Sequence, residues 1–369
     1  FGAKDFCGMR QFVFNSAVLG GIFAIVLTAV TVIFCKPLLV LLKTPADVVD
    51  GAYDYFVVIL AGIPVVILYD LLSGIIRAVG DSKTPLYFLI FSAVLNIILD
   101  LIFIACFGWG IPGAAYATVI SQGIAGIICF FYMHRKFEIL RLNKEDRIFS
   151  SRRSLSLLGT GVPMGLQYSI TAIGSVILQA AVNVLGSVYV ASIATGAKIN
   201  IFFATPFDAL GTTMATYGGQ NVGAGKTERL NSGLFSACII GFIYSAFAFV
   251  VMFFGSEALT NLFMNKNEAP EVVELVCKNV RMFLLVNSAC YVLLVLVNVV
   301  RFMIQGMGFS TVAVFAGAFE LVGRGVIGVI FIPMFGFAAA CAASPLAWLL
   351  ADSFLIPVFF WCCKKLKKK

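Results

Sequence analysis

The feature that most constrains this chain is a series of long, unbroken apolar runs. About 20 residues of α-helix cross the hydrocarbon layer of a bilayer, and ten segments reach that length. The runs are continuous rather than alternating between apolar and polar residues, which favours helices over the strands of a β-barrel. The predicted spans are 12–34, 51–76, 84–106, 112–134, 155–183, 188–217, 232–254, 273–300, 311–333 and 336–361.

Composition likewise indicates a membrane protein. The 369 residues are 61% apolar and 12% charged, whereas soluble domains are about 45–50% apolar and about 25% charged. One soluble core cannot hide this much apolar surface, so lipid must cover the rest. A membrane-embedded enzyme would need clustered histidines or paired acids, and the chain has one His and no such pair. We therefore expect neither an enzyme nor a bound cofactor.

The basic residues are concentrated in alternate connections between the spans. The positive-inside rule places these connections in the cytoplasm, so both termini are expected to be cytoplasmic and the chain to be a multi-pass protein of the cell membrane. The net charge of +8 thus reflects the orientation of the chain in the membrane and does not indicate nucleic-acid binding. The residues assigned to the cytoplasmic side are Lys4, Arg10, Arg77, Lys83, the cluster at 135–153, Lys226, Arg229, Arg301 and the C-terminal lysines.

The two halves of the sequence repeat each other. At an offset of 228 residues, Gly80 falls on Gly308 and Gly108 falls on Gly336. Both copies read as helix, glycine-containing cytoplasmic turn, helix, short glycine-containing outer turn, helix. Internal repeats of this kind are common in secondary transporters.

A second match, at a slightly different offset, completes the repeat. Residues 2–4 resemble residues 223–226, and each set precedes a long apolar helix. The second half has a helix pair over 155–217 before this turn and the first half has none. We therefore predict ten of an expected twelve helices, in two parallel pseudo-symmetric lobes of an all-α polytopic fold. The predicted parts are a first lobe at 1–134, a cytoplasmic linker at 135–154 and a second lobe at 155–369.

Three polar residues of the first half are predicted to meet inside the membrane. Asn96 and Asp100 lie one helical turn apart and share a face. Asp100 precedes Trp109 by nine residues and Thr118 follows it by nine, which gives both the same depth in a helical hairpin. That depth is about 13 Å, near the midplane of the bilayer. The three oxygens suit Na⁺ or a titrating proton, and the alternative is a buried aspartate satisfied by Asn96 and Thr118.

Several short motifs follow one another along the whole chain, at 77–85, 95–100, 113–118, 161–163 with Gln167, 220–224 and 320–324. In their order and spacing they resemble the multidrug and toxic compound extrusion (MATE) transporters. The resemblance implies a V-shaped, two-lobe exporter that expels amphipathic, often cationic compounds in exchange for Na⁺ or H⁺. It also implies a cation site at Asn96, Asp100 and Thr118, completed by an acidic residue on a first helix that this chain lacks.

The second half carries different polar residues at the matching place. Glu320 and Arg324 are four residues apart and form an attractive pair on one helix. Under the offset of 228, Arg324 overlies Asn96. One hypothesis is that the guanidinium takes the place of the bound cation, so that only the first lobe couples to ions. The alternative is an ion pair that braces the helix bundle.

Four further polar residues are candidates for the cavity or for bracing the lobe. Lys198 and Asp208 share one predicted helix, and Gln167 and Gln179 share another. Some family members carry an acid near Gln167, and this chain does not. A second-lobe Na⁺ site at that place is therefore not expected.

The sequence predicts an exporter of small organic compounds, a monomer in the lipid bilayer, with Na⁺ or H⁺ as its coupling ion and no nucleic-acid partner. The alternative function is that of a flippase for lipid-linked saccharides or cell-wall precursors. Flippases of this kind need a strongly cationic central cavity, and the sequence places only Lys198 and Arg324 deep in spans. This difference favours the exporter.

Overall fold

A computed structural model describes residues 1–41, 48–263 and 270–367, and within these ranges the chain is helical with no strand. Eight helices are long and apolar enough to cross a membrane, and two bent helix pairs raise the number of spans to as many as ten. The predicted all-α polytopic fold is therefore confirmed. The ten apolar runs each match one of these helices or bent pairs.

The chain divides into two compact units, Ala3–Leu157 and Leu158–Lys369. The first unit contains five helices, and its fourth helix continues into a π-helical segment, Leu101–Cys106. Helices α3 and α4 both pack against α5, which places α5 at the centre of this unit. The helices are α1 Phe6–Leu41, α2 Val49–Ala61, α3 Ile63–Ala78, α4 Lys83–Asp100 and α5 Gly110–Lys136.

The second unit has a larger buried core, with Phe207, Tyr291, Met303 and Leu355 among its enclosed side chains. A second π-helical segment, Ile327–Phe331, interrupts one of its helices. The helices of this part of the chain are α6 Ser151–Asn183, α7 Ser187–Gly223, α8 Arg229–Asn261, α9 Pro270–Ala289, α10 Tyr291–Gly306, α11 Ser310–Val326, α12 Ile332–Phe335 and α13 Phe337–Lys367.

The sequence repeat is also a repeat of backbone geometry. The α2–α3 pair bends by 42° at Gly62, and the α9–α10 pair bends by 50° at Cys290, which is 228 residues further on. Gly80 and Gly308 both adopt positive φ, +100° and +89°. Each donates its N–H over 3.0 Å to the carbonyl three residues earlier. The glycines are required because other residues rarely adopt this conformation.

The turn shared by residues 2–4 and 223–226 contains one residue in the left-handed backbone conformation, and in the first copy this residue is a lysine. Lys4 has a φ of +57°, and Gly225, its counterpart 221 residues later, has a φ of +71°. The Lys4 N–H donates to the Phe1 carbonyl over 2.9 Å, and the Gly225 N–H donates to the Val222 carbonyl over 3.1 Å. The same turn therefore forms in both copies, although a left-handed residue with a side chain costs about 1–2 kcal/mol.

The segment between α5 and α6 is anchored to α1. It forms two short 3₁₀ turns, Glu138–Leu140 and Lys144–Asp146. The Arg10 Nε donates to the Asp146 carboxylate over 2.7 Å, and the Asn143 backbone N–H donates to the same oxygen over 3.0 Å. The hydrogen bond from Arg10 lowers the pKa of Asp146 below its usual value. This predicted linker therefore folds as part of the first unit.

Asp146→Ala is expected to release this segment from α1. Trypsin should then cleave at the basic residues of 137–150 faster than in the wild type, whereas Glu145→Ala, at an exposed neighbour, should leave the rate unchanged. Because the folded pKa of Asp146 is lowered, its stabilisation is present above the unfolded pKa of about 3.9 and is lost as pH falls through the folded value. Equal cleavage of both variants at neutral pH would contradict this anchoring role.

A close helix contact in the second unit depends on Gly306. A Cβ atom at this position would lie 2.1 Å from the Ala215 carbonyl oxygen of α7. Gly306→Ala should therefore push α7 and α10 apart and cost about 1–3 kcal/mol, measured as a lower melting temperature in detergent. The matched control is Gly325→Ala, where no described atom outside its own helix lies within 4 Å. Equal melting temperatures for the two variants would show that the contact does not limit stability.

Candidate functional site

Side chains of α4 and α5 contact each other as predicted, but the α4 residue in contact lies one turn earlier than Asp100. The Asn96 amide nitrogen donates to the Thr118 hydroxyl over 3.4 Å, and that hydroxyl donates to the Ala114 carbonyl over 3.0 Å. The sequence placed Asp100 level with Thr118, but Asn96 is the residue that contacts it. The reason is the π-helical segment Leu101–Cys106, which has more residues per turn and so advances less per residue. Asp100 is therefore nearer the outer turn than an uninterrupted α-helix would put it.

Asp100 carries an enclosed carboxylate oxygen. Its side chain is half-buried, and its Oδ1 has no hydrogen-bond partner among the described residues. An ionised oxygen shielded from water without a donor is costly in a low-dielectric setting. A proton or a cation at this oxygen would remove the cost. The residue also stands directly before a π-helical segment, a feature that is frequent at functional sites.

The first unit also contains a small cavity, lined in part by polar side chains, that the sequence did not predict. Ser92 lies one turn before Asn96 on α4, and Gln122 lies one turn after Thr118 on α5, so the polar strip continues along both helices. The strip ends at Asp70 of α3. The spacing of four residues along α4 is the signal that could have found it. The cavity has a volume of about 90 Å³ and is lined by Val66, Tyr69, Asp70, Leu89, Ser92, Gln122 and Ala125.

The second unit contains a buried ion-pair network instead of an oxygen site. Glu320 is 3% exposed and lies between two arginines. Its Oε1 accepts a hydrogen bond from Arg301 Nη2, and its Oε2 lies 3.5 Å from Arg324 Nη2. The predicted Glu320–Arg324 pair is therefore present, with Arg301 as a second partner.

The predicted position of Arg301 was wrong. The sequence assigned it to a cytoplasmic connection because it follows the apolar run 273–300. Helix α10 in fact continues to Gly306, and Arg301 is only 7% exposed. A charged residue within a helix can end an apolar run without ending the helix when a buried partner neutralises it. Lys198 and Arg324 are therefore not the only basic residues deep in the predicted spans, since Arg301 is a third.

Arg324 links two helices of the second unit. Its Nη1 donates to the Thr171 carbonyl over 2.9 Å and lies 3.3 Å from the Ser175 hydroxyl, both on α6. Asn96, which it overlies in the repeat, likewise bonds across to a neighbouring helix. These contacts suit a bracing role, and the hypothesis that the guanidinium replaces a cation stays a prediction.

The remaining candidates lie in three different environments. Gln167 is buried, and its Oε1 accepts a hydrogen bond from the Gln305 amide over 2.8 Å, so it joins α6 to α10. Gln179 is half-buried and donates to Asn183 over 2.9 Å. Lys198 and Asp208 both have exposed side chains on α7. The structure does not bring these four residues together.

The chain thus has two units with repeated backbone geometry, each built of long apolar helices with polar groups buried inside it, a construction common among polytopic helical transporters. The MatE family model matches residues 1–102 and 163–330. The chain belongs to this family, whose members are transporters and not enzymes, and the resemblance inferred from its motifs is confirmed.

Similarities to individual proteins agree with the family. The chain is 34% identical over 233 residues to "Probable multidrug resistance protein YpnP" of Bacillus subtilis (strain 168), which covers 62% of this chain and 51% of that protein. It is 26% identical over 275 residues to "Probable multidrug resistance protein YoeA" of the same organism, covering 73% and 59%. The chain thus spans between half and three-fifths of the length of these relatives.

A solved structure shares the fold over the whole chain. It is described as the outward-facing conformation of a multidrug resistance MATE family transporter of the MOP superfamily. The TM-score is 0.91 at 21% sequence identity, and the match covers 100% of this chain and 82% of that one.

Proposed function

We propose that the complete protein exports small organic compounds, many of them cationic, across the cell membrane in exchange for Na⁺ or H⁺. The observation that carries this proposal is the enclosed, unpartnered Asp100 oxygen, one helical turn along α4 from the Asn96–Thr118 contact. It supplies a place where a coupling ion would be stabilised inside the membrane. Both termini are proposed to be cytoplasmic and the protein to be a monomer.

The chemistry of the three side chains suits a small hard cation or a proton. Asp100 supplies a carboxylate, Asn96 an amide oxygen and Thr118 a hydroxyl oxygen. The Asn96–Thr118 contact uses the amide nitrogen, so that contact leaves the amide oxygen free to turn towards an ion. Oxygen ligands are the type that hard cations take in proteins. An ion bound here would stabilise whichever transporter conformation closes around it.

The proposed substrate class is supported by two kinds of observation. Both Bacillus relatives are named as probable multidrug resistance proteins. In this chain Asp70 lines a cavity of the first unit, so an acidic group is available there to attract cations. Apolar and aromatic side chains would accommodate the rest of an amphipathic molecule.

One observation favours the flippase alternative, which is the additional basic residue Arg301 inside the second unit. However, Arg301 and Arg324 share the carboxylate of Glu320, which offsets part of their positive charge. A lipid-linked phosphate would need unpaired cations along its path. The exporter is therefore the better supported function.

Reconstituted vesicles test the proposal. The complete protein is inserted into liposomes loaded with a fluorescent organic cation such as ethidium, and a Na⁺ or proton gradient is imposed. Dye movement should accelerate with one of the gradients and return to the protein-free rate when an ionophore dissipates it. Equal rates with and without either gradient would overturn ion coupling. Translocation of a fluorescent lipid-linked saccharide without dye transport would support the flippase instead.

A further inference from the structure

A second acidic residue is buried deep in the second unit and is used by none of the interactions above. Asp352 lies on α13 and is 3% exposed. Both of its carboxylate oxygens are enclosed, and neither has a hydrogen-bond partner among the described residues. An ionised carboxylate in this position would carry a desolvation cost that no donor offsets.

A side chain that interacts electrostatically with Asp352 carries an unsatisfied donor. Helices α10 and α11 pack against α13, and Arg301 and Glu320 are close enough to interact electrostatically with Asp352. Arg301 uses Nη2 to bind Glu320, while its Nε has no acceptor among the described residues. The cluster therefore holds one unmatched guanidinium N–H and one unmatched carboxyl group.

Asp208 of α7 is a further titratable group that interacts electrostatically with Arg301. The elements packed against α13 supply few others. Arg324 of α11 is engaged by Glu320 and by the α6 groups already described. Cys238 of α8 lies within electrostatic range of Asp352. Helix α9 meets α13 at the Cys341 carbonyl, which accepts from the Asn287 amide over 3.3 Å, about three turns before Asp352. That contact involves no charged group.

We propose that Asp352 is a proton-binding site of the second unit, distinct from the Asp100 site of the first. In the arrangement described, the carboxyl group carries its proton and needs no counter-charge. When the proton leaves to water, the carboxylate becomes an acceptor for Arg301 Nε and draws this side chain away from Glu320. The site is not a copy of the first, because under the offset of 228 Asp352 overlies Ile124.

The fluorescence of a native tryptophan can report whether Asp352 is protonated. Trp348 is 5% exposed and lies one turn before Asp352 on the same helix. The chain has three tryptophans, so replacing Trp109 and Trp361 with phenylalanine leaves Trp348 alone. The fluorescence of Trp348 should change with pH in this background. Asp352→Asn should abolish the change, and Ser353→Ala, at an exposed neighbour, should retain it.

Persistence of the same pH response in Asp352→Asn would overturn the proposal and would point to Cys238 instead. A second measurement needs no variant. Dicyclohexylcarbodiimide adds to protonated buried carboxyl groups, so mass spectrometry should find label on Asp352 that declines as pH rises, with Glu320 unlabelled. No label on Asp352 at acidic pH would also overturn it. Neither readout involves transport, so the result stands apart from that for the Asp100 site.

Discussion

Glu320→Gln is expected to destabilise the second unit by about 3–5 kcal/mol, because it leaves two buried arginines without their shared counter-charge. Arg301 and Arg324 both lie against Glu320, and the side chains of all three are at most 10% exposed. Removing one member of a buried ion network costs more than the network itself contributes. The variant should melt at a clearly lower temperature or fail to accumulate.

A thiol-reactive dye is suited to this measurement once the exposed Cys7 and Cys106 are replaced with serine, since Cys341 and Cys362 are fully buried and become reactive on unfolding. The matched control is Glu257→Gln, an amide substitution at an exposed position on α8. Replacing the whole network, with Arg301→Met, Glu320→Leu and Arg324→Met together, should recover much of the lost stability. A Glu320→Gln protein as stable as the wild type would show that the network does not brace the unit.

Asp100→Asn in the complete protein is expected to reduce gradient-driven dye efflux to the rate of protein-free vesicles. The substitution keeps the size of the side chain and removes the charge that would bind a proton or Na⁺. The melting temperature should change little, because Asp100 Oδ1 makes no hydrogen bond among the described residues. Transport and stability would thus separate at this position.

Two further variants sharpen the test. Thr118→Val removes one oxygen and the contact with Asn96, so it should weaken ion dependence without abolishing efflux. Asp54→Asn makes the same chemical change at an exposed position on α2 and should transport normally. Full gradient-driven efflux by Asp100→Asn would contradict the coupling role.

Much of the fold could be predicted because apolar run length and glycine position encode it directly. Gly80 and Gly308 mark the same turn in both copies, and the structure shows the same left-handed backbone at each. The break at Cys290 had no such signal, since neither glycine nor proline stands there. It matches the break at Gly62 through the repeat.

The site could be predicted only in part, because tertiary packing determines its details. The spacing about Trp109 placed Asp100 level with Thr118, whereas Asn96, one turn earlier, is the residue that contacts Thr118. It could not reveal the π-helical segment after Asp100, because no residue type in 101–106 marks such a segment. Asp352 stands alone in an apolar run, and its neighbour Arg301 comes from a different helix. Such partners are invisible without the packed structure.

The central claim, that Asp100 holds the coupling ion, is tested most directly by equilibrium substrate binding to the purified complete protein. Antiport requires that ion and substrate weaken each other's binding, and this linkage is reciprocal. In the wild type, the affinity for ethidium should fall as either Na⁺ or H⁺ concentration rises. In Asp100→Asn, ethidium should still bind, with an affinity independent of both ions. An unchanged ion dependence in Asp100→Asn would contradict the account.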